Sequence, residues 1–130
     1  MKLGVFAVLF GSKPFEETLD YLVELGLEAI EIGTGAYPGN ALCNPAALLA
    51  SERKLEQFRA AVARRGLVIS ALSCHGNPLH PDRRIARAHH DTFLKTVALA
   101  RRLDVKTVVT FSGCPGGDSR AAMPNWIVAP

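Results

Sequence analysis

The stretch Leu67-Val68-Ile69-Ser70-Ala71-Leu72-Ser73-Cys74-His75-Gly76-Asn77-Pro78-Leu79-His80-Pro81-Asp82 decides how this chain folds. Leu67 to Ser73 is a short apolar run, which predicts a buried strand. Gly76, Asn77, Pro78 and Pro81 interrupt it as a loop. Asp82 then stands as an N-cap before Ile85, His89, Phe93, Val97 and Ala100, an apolar stripe at helical spacing that ends near Leu103-Asp104. A strand followed by a loop and a helix, with no hairpin turn, is the unit from which parallel sheets are built.

The same unit recurs on both sides. Toward the amino terminus, Asn44-Pro45 opens a helical region carrying Leu55, Phe58 and Val62 on one stripe, and Gly66 terminates it. Ala36 to Cys43, with Pro38, Gly39 and Asn40, reads as a loop. Leu27 to Ile32 reads as a strand closed by Gly33-Thr34-Gly35, and Pro14 with Phe15, Leu19, Leu22 and Val23 as a helix stopped by Gly26. Leu3 to Phe10 is the first strand, closed by Gly11. Toward the carboxyl terminus, Val105 to Phe111 is a fourth strand closed by Ser112-Gly113-Cys114-Pro115-Gly116-Gly117. The order β-α-β-α-β-α-β demands parallel pairing through right-handed crossovers, so the class is α/β. On pattern alone a doubly wound open sheet and a piece of a barrel fit equally.

Composition narrows the function classes. The chain has 130 residues, 48% hydrophobic and 21% charged, which excludes disorder and suffices for one globular core. No apolar run approaches the roughly 20 residues of a membrane span, and the amino-terminal run lacks a signal-peptide cleavage site. Cys43, Cys74 and Cys114 form no C-x-x-C pair, which predicts reduced thiols and a cytoplasmic location. The net charge of +3 comes from basic residues interspersed with acids on helix-like segments, a solvated-face pattern that argues against nucleic acid.

The motifs are weighed by geometry. Gly33-Thr34-Gly35 lacks a correctly placed third glycine and a following helix, so it is no dinucleotide fingerprint, and Gly113 to Gly117 lacks the ending of a phosphate loop. His75 and His80 follow the carboxyl end of a strand, where α/β folds gather ligand chemistry, and both are expected to line a substrate site. Cys74 and His75 point to opposite faces and cannot share a metal. His89 falls on the packing stripe and His90 is turned about a hundred degrees away. Glu28 and Glu31 flank the second strand without acidic partners on other strands, so no acid and base pair assembles.

Three loop motifs, Gly33-Thr34-Gly35-Ala36-Tyr37-Pro38-Gly39-Asn40, Ser73 to Pro81, and Thr110-Phe111-Ser112-Gly113-Cys114-Pro115-Gly116, carry a resemblance over essentially the whole chain. It resembles the sugar phosphate isomerase/epimerase group of the xylose isomerase-like TIM barrels. The resemblance implies a divalent metal, Mn, Mg or Co, that polarises a carbonyl while a carboxylate removes the proton on the neighbouring carbon of a sugar or keto sugar. Epimerase-like members hold that metal with two Glu, an Asp and a His on the last four strands, and this chain ends after its fourth. His75 alone carries over, as a lining residue of the third strand's mouth.

The expectation is therefore one partial domain over residues 1–130, the amino-terminal half of a (β/α)8 TIM barrel with four strands and three helices. A complete catalytic or metal site is expected to be absent, and the chain alone inactive. The tail Ala121 to Pro130 reads as an interrupted connection. Bare strand faces and open edges predict assembly, either as a homo-oligomer or with a complementary half-barrel. A non-catalytic half-barrel whose property is assembly is the alternative function, followed by a keto-sugar or C-glycoside lyase and an abasic-site endonuclease.

Overall fold

The computed structural model describes residues 1–126. Residues 127–130, the end of the tail read as an interrupted connection, lie outside the described residues. One sheet contains β1 (Gly4–Phe6), β2 (Ala29–Gly33), β3 (Val68–Ser73) and β4 (Val108–Val109), with every neighbouring pair parallel. A 3-10 turn (Ala7–Phe10) follows β1, and the helices are α1 (Phe15–Glu24), α2 (Pro45–Leu49), α3 (Glu52–Ala63) and α4 (Arg83–Leu103).

Strand order separates the two architectures that the sequence pattern leaves equal. A doubly wound sheet reverses its order at a switch point and so carries helices on both faces. Here the order is β1-β2-β3-β4 without reversal, so right-handed crossovers lay the helices on one face, as in a barrel wall. The core lies between that face and the helices. It contains Leu19 and Leu22 of α1, Ile30 and Ile32 of β2, Leu55, Phe58 and Val62 of α3, Leu72 of β3, and Leu99 of α4.

Three expectations are corrected. The first strand stops at Phe6 rather than Phe10: Ala7 enters the core through the 3-10 turn while Val8 and Leu9 are 42% and 78% exposed. An apolar run records a tendency to be buried, not a period, and of this run Ala7 alone is fully buried. The fourth strand is Val108–Val109 rather than Val105 to Phe111, because the Val105 N–H is taken by the Ala100 carbonyl at the end of α4. The middle helical region is two helices, making four among the described residues in place of three. Ser51 is extended (φ −147°, ψ 109°), and its side chain accepts the Lys54 N–H at 3.4 Å, a second N-cap inside one apolar stripe.

The β2–β3 register contains an irregularity that sets which face each β3 residue takes. Ile30 pairs with Ile69, yet Glu31 pairs with Ala71, so Ser70 is the extra residue of a bulge. Strict alternation from Ile69 would send Leu72 to the open face and Ser73 to the helices. The bulge shifts the phase by one residue. Leu72 therefore joins the helix-side core, while Ala71 and Ser73 face the concave side with Ala29, Glu31 and Gly33.

Candidate functional site

His75 follows β3 by two residues and so continues the concave face of Ser73. Its ring stacks on Phe111, just beyond β4, with centroids 4.8 Å apart and planes 13° from parallel. Phe6, at the end of β1, meets the same imidazole edge-on at 5.7 Å. The carboxyl ends of three strands thus converge on one histidine, as expected from its place in the sequence. Tyr37 of the β2–α2 loop and Trp126 extend the group, with Trp126 5.5 Å from Phe111 and 6.2 Å from Tyr37. An open cleft of about 510 Å³ is lined by Thr110, Phe111, Ser112 and Trp126. Aromatic faces beside hydroxyls suit a small polyol: rings cover its C–H faces and polar atoms meet its hydroxyls.

Deeper on the same face, the Ser73 hydroxyl donates to the Glu31 carboxylate. Ser73 is fully buried, and Glu31 is half-buried. Glu28 does not join this pair; it forms an exposed ion pair with Lys2 at 3.7 Å.

The loop that carries His75 is fastened by Asn77, whose side chain is fully buried. Its Oδ1 accepts the N–H groups of Cys114 at 2.8 Å and Leu79 at 3.1 Å, and its Nδ2 donates to the Cys114 carbonyl at 2.8 Å. The Asn77 N–H donates to Nδ1 of His89 at 2.8 Å, so His89, on the packing stripe as expected, holds the loop from α4. His90 is exposed. Tyr37 closes over the His89 ring at 5.2 Å. The loop on β2 is held equally closely: a Cβ at Gly35, where φ is +142°, would stand 2.6 Å from the Thr92 methyl of α4. The Gly-Thr-Gly run is thus a close-packing device.

His80 is not brought to the His75 cluster. Its Nδ1 accepts the Asp82 N–H at 2.9 Å, and Asp82 in turn caps α4 through the N–H groups of Arg84 (2.7 Å) and Ile85 (3.4 Å). The Arg84 N–H, with a smaller contribution from that of Ile85, holds the Asp82 carboxyl below the usual carboxylate range.

The thiols stand apart from this chemistry. Cys74 lies across the strand from His75, and burial raises its thiol, partly offset by hydrogen bonds with Thr96 and Thr110. Burial alone pushes Cys43 up to about 12. Neither supplies a thiolate near neutrality. The donor set also does not fit a divalent ion: among the described residues no three His, Cys, Asp or Glu side chains converge, and the neighbours of His75 are aromatic rings. No helix among the described residues is long and apolar enough to cross a membrane.

The sequence places His75 at the carboxyl edge of β3 and does not foretell the rings packed around it. Phe6 reads as an interior residue and Phe111 as the last residue of strands that prove shorter, and Tyr37 and Trp126 sit in loops without periodicity. For Phe6, Tyr37 and Phe111 the available signal was position: each ends or shortly follows a strand at the carboxyl edge.

Comparison with known proteins agrees with this architecture. Residues 19–127 match the family described as xylose isomerase-like TIM barrel. The chain is 37% identical over 127 residues to the uncharacterized protein YfiH of Bacillus subtilis (strain 168), covering 98% of this chain and 40% of that protein. The crystal structure of D-psicose 3-epimerase in the presence of D-fructose superimposes with a TM-score of 0.57 at 18% identity, over 85% of this chain and 37% of that one. The crystal structure of protein SMc04130 from Sinorhizobium meliloti 1021 gives 0.58 at 20% identity, over 92% and 39%. The chain spans about two-fifths of the length of these relatives. With its family model matched over most of its length and its strands in barrel order, the chain belongs to the xylose isomerase-like TIM barrel family.

Proposed function

We propose that residues 1–130 form a single partial domain, the amino-terminal half of a sugar isomerase/epimerase-like barrel, and supply one wall of a pocket for a sugar or keto sugar. The observation that carries this reading is the stacking of His75 on Phe111, with Phe6 and Trp126 beside them, at the carboxyl ends of the strands. In this wall the rings of Phe111 and Trp126 pack against C–H faces, His75 hydrogen-bonds a hydroxyl or carbonyl oxygen, and His80 contacts substrate from the rim. Residues that would hold a divalent metal, and a carboxylate base for proton transfer beside the carbonyl, would come from the other half of the barrel. The chain alone binds sugar weakly and turns nothing over.

Titration with D-fructose, the sugar present with the epimerase above, tests this reading by NMR. Shifts are expected at His75, Phe111 and the Trp126 indole, lost in His75→Ala, with a dissociation constant on the order of millimolar. Shifts confined to other surfaces, no shifts at all, or stoichiometric sub-micromolar Mn binding by calorimetry would overturn it. Completion of the barrel has its own readout: the uncovered wild-type sheet face is expected to bind a hydrophobic dye, and no dye binding removes the need for a covering half.

A further inference from the structure

The concave face of the sheet carries one strand carboxylate and no strand Lys or Arg. Glu31 stands on β2 between Ile30 and Ile32, both of which are fully buried on the helix side, so it faces the other way. Its register partners are Phe6 on β1 and Ala71 on β3, and Ala29 and Gly33 share its strand and face. Apart from Phe6, these neighbours are small. Ser73 donates to Oε1. None of the ion pairs found among the described residues includes Glu31, and no Lys or Arg stands on any of the four strands.

Symmetry turns this into a statement about partners. If two copies closed an eight-stranded barrel, a two-fold axis along the barrel would set β2 of each copy directly across from β2 of the other at equal height. The interior of such a barrel is packed in layers, each drawn from alternate strands, so both Glu31 carboxylates would occupy one layer. Two like charges would lose water together with no cation on either face, an arrangement that low-dielectric interiors penalise strongly.

We propose that Glu31 selects what covers this face: it excludes a second copy of the chain and admits a covering segment that brings an Arg or Lys opposite it. Oε1 is taken by Ser73. Oε2 is the atom a guanidinium or ammonium then meets. The inference rests on the completion reading above and narrows it from two kinds of partner to one.

Sedimentation equilibrium of three samples tests it: wild type, Glu31→Gln, and an equimolar mixture of wild type with Glu31→Arg as the cationic probe. Glu31→Gln keeps an oxygen for Ser73 and removes the charge; Glu31→Ala provides a second neutral variant, and circular dichroism confirms that each is folded. The neutral variants are expected to self-associate at least about ten-fold more tightly than wild type, and the mixture to form a heterodimer by a similar margin. Wild type associating as tightly as the neutral variants, or a mixture no tighter than wild type alone, overturns the proposal. Dye binding by the wild-type chain separates this outcome from failure of the completion reading.

Discussion

At the residue scale, Asn77 fixes the mouth more than His75 does. Its amide ties the loop after β3 to the segment after β4 in both directions, so the elements carrying His75 and Phe111 move as one piece. Asn77→Ala removes three side-chain hydrogen bonds and leaves the Cys114 N–H and C=O without their partner, a loss expected to cost about 2–4 kcal/mol in urea unfolding. Asn77→Asp is expected to destabilise as well, because it sets an oxygen against the Cys114 carbonyl where the amide donates. Retention of full stability by both variants would show that the two loops are held by something else. The place of His75 at the carboxyl edge was legible in the sequence because it comes directly after an apolar run that forms a strand. The fastening role of Asn77 was not: its partners lie 37 residues away at Cys114 and 12 residues away at His89, distances that no local pattern spans.

At the element scale, the sequence shows helix stripes well and ends less well. Asp82 was readable as a cap, and the structure confirms it. Ser51 was not, because Leu55, Phe58 and Val62 continue an apolar stripe past the break and conceal it. The Ser70 bulge was equally hidden: its neighbours are apolar on both sides, and only pairing with β2 reveals the extra residue. Asp82 also gives α4 an acid sensitivity. Its carboxyl titrates lower in the folded state than in the unfolded one, so its stabilisation is present above the unfolded value and is lost as pH falls through the folded one. Asp82→Asn keeps a capping oxygen that does not titrate. Its loss of stability between pH 7 and about pH 3 is expected to be smaller than that of wild type, as read from urea midpoints. Equal losses in the two proteins would remove Asp82 from the acid response.

At the scale of the molecule, the two sides of the sheet are expected to answer mutation differently. Leu72, fully buried on the helix side, is expected to cost about 2–5 kcal/mol when changed to Ala. Val68, which shares the concave side with Ala29 and is 41% exposed, is expected to tolerate Lys within about 0.5 kcal/mol. A large loss at Val68 would mean that the concave side is already covered. The order β1-β2-β3-β4 also bears on how the fold arises. Each strand pairs with the one nearest in sequence, so no pairing has to wait for a distant segment. Loop closure over a few tens of residues is fast and entropically cheap relative to long-range pairing. The sheet can therefore grow vectorially from β1 as the chain leaves the ribosome, each new β/α unit docking on a template already in place.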